Sequence, residues 1–110
     1  MVKRDQGVSD QDLDQLSSLF RLLSDKTRLS ILMRLSDGER NVTTLCEELA
    51  LPQPTVSHHL GLLRMNNVVG NRRHGKQVFY ALHGPSDFGN GTVMEFAVQN
   101  LMVQVKPKSK

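Results

Sequence analysis

The sequence predicts a mainly helical fold with a small β-hairpin, whose elements follow the order α-α-α-α-β-β-α. Two observations lead to this prediction. Apolar residues recur at helical spacing over the first part of the chain, and segments rich in β-branched and aromatic residues then follow. The chain has 110 residues, the length of one domain, and no apolar run of about 18 residues that would cross a bilayer. We therefore expect a single domain over residues 1–110, with disordered ends at about 1–8 and 106–110 and no membrane partner.

Two helices are predicted in the N-terminal third of the chain. The first should begin at a cap provided by Ser9 or Asp10 and run to about Leu23, because four large apolar residues recur there at helical spacing. Asp25 can cap a second helix that runs to about Ser36, since a carboxylate accepts hydrogen bonds from the free N–H groups of a first turn. Each helix presents one apolar face to a core.

A pair of helices joined by a tight turn is predicted next. The third helix should cover residues 42–50, and the fourth should run from Gln53 to about Asn66, with Leu51-Pro52 as the turn between them. Pro54 is compatible with the first turn of a helix, where its missing N–H is not needed. Two helices joined in this way form a helix-turn-helix, whose second helix enters the major groove of DNA.

A hairpin and a last helix complete the predicted fold. Residues 68–73 and 77–82 should form two strands joined by a turn at His74-Gly75-Lys76. After a flexible connection at 84–91, a last helix is predicted over residues 92–105. This order is that of a winged helix-turn-helix, with the hairpin as the wing.

The charge distribution favours a polyanionic partner. Residues 56–110 carry seven Lys and Arg against two Asp and Glu, and no acidic residue lies between Leu49 and Ser86. Such a stretch presents an unopposed positive field to nucleic acid. The outward face of the fourth helix is uncharged and hydrogen-bonding, whereas His59 should face inward and pack. The residues expected to contact double-stranded DNA are Gln53, Thr55, Ser57, His58 and Arg64 on the fourth helix, and Arg72, Arg73, His74 and Lys76 on the wing.

Three ordered segments resemble the ArsR/SmtB family of bacterial transcriptional repressors. They are LSDKTRLSIL at residues 23–32, LPQPTVSHHL at 51–60 and RRHGKQVFYAL at 72–82. The resemblance extends over about residues 13–105. It implies a cytoplasmic homodimeric repressor that binds operator DNA and is released by an effector.

The resemblance also implies a dimer built from the first and last helices. The last helix gives a separate reason to expect one, because it carries two apolar stripes and a small domain can cover only one of them. The expected interface residues are Leu13, Leu16 and Phe20 on the first helix, and Met94, Val98, Met102 and Val105 on the last.

The metal sites known from the resembled family are absent from this sequence. The Cys-Val-Cys motif at the start of the third helix is replaced by Asn41-Val42-Thr43, and the last helix has one carboxylate and no histidine. A cross-subunit set, in which His83 and Glu95 would converge on Asp87, is a weak remaining candidate, because zinc prefers four ligands from Cys, His and carboxylate groups. We expect no metal and no cofactor.

Two alternatives to a simple repressor remain open at this point. Cys46, the single cysteine, could serve as a thiol sensor in a redox-responsive repressor, although a small buried side chain is the simpler interpretation. A winged helix could also serve as a protein–protein interaction module. An enzyme is not expected, since the sequence has no nucleophile elbow and no phosphate-binding loop.

Overall fold

The computed structural model describes residues 7–83, 94–98 and 101–108, so the predicted connection at 84–91 lies outside the described residues. Within these three ranges, every helix is too short or too polar to cross a bilayer. The elements are α1 (Asp10–Leu23), α2 (Lys26–Ser36), β1 (Arg40–Asn41), α3 (Val42–Leu49), α4 (Gln53–Met65), β2 (Val69–His74), β3 (Gln77–Leu82), β4 (Met94–Val98) and β5 (Leu101–Val105).

The predicted starts of the first two helices are confirmed, and side chains cap both of them. Ser9 forms a capping box with Asp12: the Ser9 hydroxyl accepts from the Asp12 N–H at 3.1 Å, and the Asp12 carboxylate accepts from the Ser9 N–H at 3.0 Å. Asp25 caps α2, and Asn41 caps α3 in the same manner. Such caps satisfy N–H groups that have no partner inside the helix, which fixes where each helix begins.

The predicted hairpin is confirmed, and a third strand extends its sheet. The strand order is β1-β3-β2, with Arg40 of β1 opposite Tyr80 of β3. The turn is one residue shorter than predicted, because His74 still pairs with Gln77 across the hairpin. Gly75 enters this two-residue turn at a φ of +64°, a conformation that glycine adopts without steric cost.

The predicted last helix is wrong. Residues 94–98 and 101–105 form a second antiparallel hairpin, in which Met94 of β4 lies opposite Val105 of β5. The physical reason is a period of two: Met94 and Phe96 are buried, whereas Glu95 is half-buried and Ala97 is exposed. Three valines in these two short runs also favour extended backbone over helix. The two apolar stripes that were predicted for a helix are therefore the two faces of a hairpin.

The hydrophobic core lies between the helices and receives the first residues of the wing and of the second hairpin. Each helix contributes at least one buried leucine, as the helical spacing predicts. The buried apolar residues are Leu19, Ile31, Leu32, Leu35, Leu45, Val56, Leu60, Leu63, Val68, Val69, Met94 and Phe96. This core holds α4 and the wing in one unit, which positions the candidate site.

Candidate nucleic-acid interface

Backbone hydrogen bonds fix the turn between α3 and α4. Ala50 ends α3 in the left-handed region at a φ of 55°, and the N–H of Leu51 donates back to a carbonyl of α3. Pro52 occupies the N-cap of α4 without a capping side chain, and its carbonyl accepts from the N–H of Val56 at 3.2 Å. The fourth helix begins at Gln53, as predicted, although its cap lacks a side-chain acceptor.

One face of α4 is open to solvent and carries no charge. Gln53, His58 and Gly61 are exposed, while Thr55 and Ser57 are half-buried. The Gln53 amide donates to the Ser57 hydroxyl at 3.0 Å, so these two side chains form one hydrogen-bonding group. A Cβ added at Gly61 would meet no heavy atom of the described residues within 4 Å. We refer to Gln53, Ser57, His58 and Gly61 as the reading face.

The opposite side of α4 is held firmly against the core. Val56, Leu60 and Leu63 are fully buried. The predicted inward position of His59 is confirmed: its ring is half-buried, and its Nδ1 lies 3.3 Å from Nη1 of Arg28 on α2. Packing and this polar contact together set the direction in which the reading face points.

The wing presents four residues with basic side chains, all of them exposed: Arg72, Arg73, His74 and Lys76. Successive residues of a strand point to opposite faces, so Arg72 and Arg73 lie on opposite faces of the hairpin. The Arg72 guanidinium lies 5.2 Å from the centre of the Phe79 ring on the neighbouring strand. This distance is within cation–π range and holds the side chain along the sheet.

Arg72 also has a partner that sequence reasoning missed. Its Nε donates to one carboxylate oxygen of Glu39 at 2.8 Å and its Nη2 to the other at 2.7 Å. These hydrogen bonds, opposed in part by desolvation, hold the pKa of the Glu39 carboxyl below its usual value. The segment between Leu49 and Ser86 contains no acidic residue, but in the folded chain the Glu39 carboxylate lies beside it. Glu39 comes from the loop before β1.

Two further predicted residues have clear positions. Arg64 is exposed in the last turn of α4, where it can extend a basic surface beyond the reading face. Cys46 is half-buried on α3 and packs against the hydrophobic core. This environment agrees with the interpretation of Cys46 as a small apolar side chain.

The residues predicted for a dimer interface divide into two groups. Leu13 and Phe20 on α1 are 41% and 52% exposed, and the half-buried Leu16 lies between them on the same helix face. We call these three residues the α1 stripe. Met94 is 2% exposed and belongs to the core of its own chain, so its predicted place on an exposed helical stripe is wrong. Val98 is half-buried, and Met102 and Val105 remain exposed on the second hairpin.

The weak metal set is incomplete within the described residues. His83 and Glu95 line the same cavity, but Asp87 lies outside the part of the chain that the structure describes. Over residues 7–83, 94–98 and 101–108, no three His, Cys, Asp or Glu side chains come together as metal ligands.

The chain is similar to known bacterial regulators. The model of the family described as bacterial regulatory protein, arsR family, matches residues 25–69. The arsenical resistance operon repressor of Staphylococcus aureus is 36% identical over 89 residues, which cover 81% of this chain and 79% of that protein. The regulator KmtR of Mycobacterium tuberculosis is 41% identical over 75 residues, which cover 68% of this chain and 58% of that protein. The homodimeric winged helix-turn-helix DNA-binding domain Mb0332 of Mycobacterium bovis has a TM-score of 0.62 at 28% identity, covering 76% of this chain and 74% of that one.

Proposed function

Because this chain belongs to the ArsR family of bacterial regulatory proteins and has a winged helix-turn-helix fold, we propose that it is a homodimeric repressor that binds operator DNA in the cytoplasm. The reading face is the observation that carries this proposal. Three of its four residues are exposed, none of them is a lysine, arginine, aspartate or glutamate, and it has a glycine where a helix must approach base edges closely. The function is binding rather than catalysis.

The residues around this face divide into two roles. Gln53, Ser57 and His58 offer hydrogen-bonding groups that suit base edges in the major groove. The cations supply affinity for phosphates and carry no sequence information. They are Arg64, Arg72, Arg73 and Lys76, with His74 and Thr55 as further backbone contacts.

Selection of bound fragments from random-sequence duplexes tests the proposal. We expect enrichment of a site with two symmetric halves about one helical turn apart, because each protomer of a dimer places one α4 in the major groove. Heparin should compete much less well than the enriched duplex. Failure to enrich any sequence, with heparin as effective as DNA, would favour a protein–protein interaction module instead.

The α1 stripe supports the dimeric state. Leu13 and Phe20 are exposed apolar side chains on a helix that is otherwise polar outside the core, and the half-buried Leu16 joins them to the core. A second copy of the same helix can cover such a strip, since a two-fold interface brings one patch against itself. Mb0332 is homodimeric, which supports a dimeric state for this chain.

The wing arginines should differ in their contribution to salt dependence. Replacing Arg73 by alanine should reduce the slope of log K against log salt by about 2, because each dimer loses two phosphate contacts at about 0.9 each. Arg72→Ala should change the slope by less, since Glu39 already compensates its charge. In a Glu39→Gln background, Arg72→Ala should become as costly as Arg73→Ala. Fluorescence anisotropy at four salt concentrations measures the slope of the wild type, of the Glu39→Gln parent and of each arginine variant.

Arg21→Ala is the matched control for this series, because Arg21 is an exposed arginine on α1 and belongs to neither the wing nor α4. Its slope should equal that of the wild type. If Arg72→Ala changes the slope by the same amount relative to its parent in both backgrounds, Glu39 has no influence on DNA binding.

Operator binding should not respond to divalent metal ions. We infer this from the residues at the two family sites, where Asn41-Val42-Thr43 replaces the cysteine motif and the second site has become a β-hairpin. Zinc, nickel or cadmium at micromolar free concentration should leave the dissociation constant within about threefold, which corresponds to about 0.65 kcal/mol. A chelator should have no effect either. A reproducible tenfold shift with stoichiometric metal would contradict this and would point first to His83 and Glu95.

A further inference from the structure

A cavity of about 530 Å³ lies between α1, the end of α4 and the second hairpin. Its size falls within the range of sites for small organic molecules. It lies on a different face of α1 from the α1 stripe, because Gln15, Ser18 and Leu22 are rotated by roughly 160° from that stripe at 100° per residue. The lining residues that decide its chemistry are Gln15, Ser18, Asn67, His83, Glu95 and Phe96.

The cavity combines an apolar wall with neutral polar side chains, one histidine and one carboxylate among its described lining residues. Leu19 and Phe96 give it a buried hydrophobic wall. Glu95 is the only carboxylate among its described lining residues, and neither lysine nor arginine is among them. One Glu95 oxygen accepts from the Gln104 amide at 2.6 Å, and the other makes no hydrogen bond within the described residues. The cavity therefore suits an apolar body that carries a positively charged donor.

We propose that this cavity binds a small organic cation, an amine attached to an aromatic or aliphatic body, as the effector of the regulator. The ammonium group would face Glu95, and the apolar body would pack on Ala97 and Met102, which line the cavity from the same face of the hairpin as Glu95. An anionic molecule is disfavoured, because neither lysine nor arginine is among the described lining residues and the Glu95 carboxylate would repel it. The effector role rests on the proposed repressor function, whereas binding itself does not.

The position of the cavity supplies a route from ligand to DNA. Asn66 caps the end of α4, and Val68 leads into the first strand of the wing. The Val68 carbonyl accepts from the N–H of His83 at 3.1 Å, which ties the far end of the wing to the same wall. A molecule in the cavity thus contacts the end of the recognition helix and the base of the wing together with α1. A ligand that binds one arrangement of these elements more tightly than another shifts the protein toward that arrangement. Operator affinity can then change by at most the ratio of the ligand's affinities for the two arrangements.

An NMR titration of the full chain tests binding directly. Tryptamine is the probe, and indole-3-propionate is its anionic counterpart of nearly equal size and shape. We expect saturable amide shifts around the cavity with tryptamine, with a dissociation constant of about 1 mM or lower for a molecule of this size. Indole-3-propionate should bind at least about tenfold more weakly, because its carboxylate faces Glu95. Equal binding of the two compounds, or no saturable shift at the cavity, would overturn the proposal.

Two variants locate the site. Glu95→Gln keeps the side-chain size and an acceptor for Gln104, and it should abolish the preference for the amine. Ser18→Trp should fill the cavity from α1 and prevent binding while the melting temperature stays close to that of the wild type, since Ser18 is exposed. Glu47→Gln, an exposed carboxylate on α3, is the matched control and should bind tryptamine normally. Unchanged binding in Glu95→Gln would exclude Glu95 as the recognition group and overturn the assignment.

Measuring operator binding with and without the ligand distinguishes the effector role from the repressor function. Saturating tryptamine should change the operator dissociation constant of the wild type by threefold or more and leave that of Ser18→Trp unchanged. Tryptamine binding at the cavity without an effect on operator affinity would overturn the effector role. Failure of the ligand-free protein to bind any duplex would instead contradict the proposed repressor function, and the NMR titration would still be decisive for the cavity.

Discussion

Replacing Phe20 by aspartate is expected to convert the protein to a monomer and to lower operator affinity by about a hundredfold or more, because two linked half-sites bind far more tightly than one. Phe20 is 52% exposed in the single chain and lies on the α1 stripe. A carboxylate placed there would lose water in the dimer without gaining a partner, which is costly. The isolated chain should tolerate the change, since the side chain is not part of its core.

Sedimentation velocity at micromolar concentration measures the assembly state, and fluorescence anisotropy measures operator affinity. Gln11→Asp is the matched control, because it introduces the same charge on an exposed position of α1 that is rotated by about 180° from Phe20. This control should remain a dimer with normal affinity. A wild-type protein that is already monomeric, or a Phe20→Asp variant that still dimerises, would assign another role to the α1 stripe.

Enlarging Gly61 should abolish operator recognition without harming the fold. An added side chain at this position meets open space in the free protein, so Gly61→Phe should fold normally. Against DNA, the same side chain would hold the reading face away from the bases. Losing base contacts worth about 1–3 kcal/mol in each of two half-sites would weaken operator binding by about 2–6 kcal/mol in total.

Gly61→Ala provides a matched comparison within the same position. It should raise the free energy of unfolding by about 1 kcal/mol, because alanine restricts the unfolded chain and favours helix. Its operator affinity should fall much less than that of Gly61→Phe. Thermal unfolding and competition between operator and random duplexes measure the two effects. Full discrimination in a folded Gly61→Phe variant would show that this face of α4 does not lie in the groove.

The parts of the fold that the sequence predicted well are those specified by local signals. Ser9 and Asp25 mark the starts of their helices because capping involves residues only three positions apart. The helix-turn-helix could be predicted equally well, because the tight turn at Leu51-Pro52 and the helical spacing of the buried residues of α4 lie within one continuous segment. The winged helix-turn-helix fold could therefore be derived from spacing and capping.

The last segment was predicted to be a helix and not a hairpin, because its apolar residues fit both the helical spacing and the alternating spacing of a strand. Met94 and Phe96 fit the buried face of a strand, and the same short run also shows helical spacing. In segments of five residues the two periods differ too little to decide between helix and strand. Weighting the β-branched valines more heavily would have favoured the hairpin. Of the dimer residues predicted on this segment, Met94 inherited the error, because it is buried in the core of its own chain, whereas Val98, Met102 and Val105 stay predictions.

Glu39 could not have been assigned to the wing from the sequence. It lies 33 positions before Arg72 and in a loop, so no local spacing connects the two residues. The short strand β1 brings this loop beside the wing by pairing with β3. A strand of two residues is too short to show an alternating pattern in the sequence. Predicting phosphate contacts from the density of charge along the chain therefore overestimated the free positive charge of the wing.

The pairing of Arg72 with Glu39 bears on how the protein would search a chromosome. A bacterial chromosome offers about 10⁶ or more competing non-operator positions, and charge attracts a protein to all of them alike. Compensating one wing cation weakens each of these unproductive encounters and shortens the time spent at each position. The reading face would add little to them, because it has no lysine or arginine that would attract phosphates. With less protein held elsewhere, a smaller number of copies per cell suffices to keep the operator occupied.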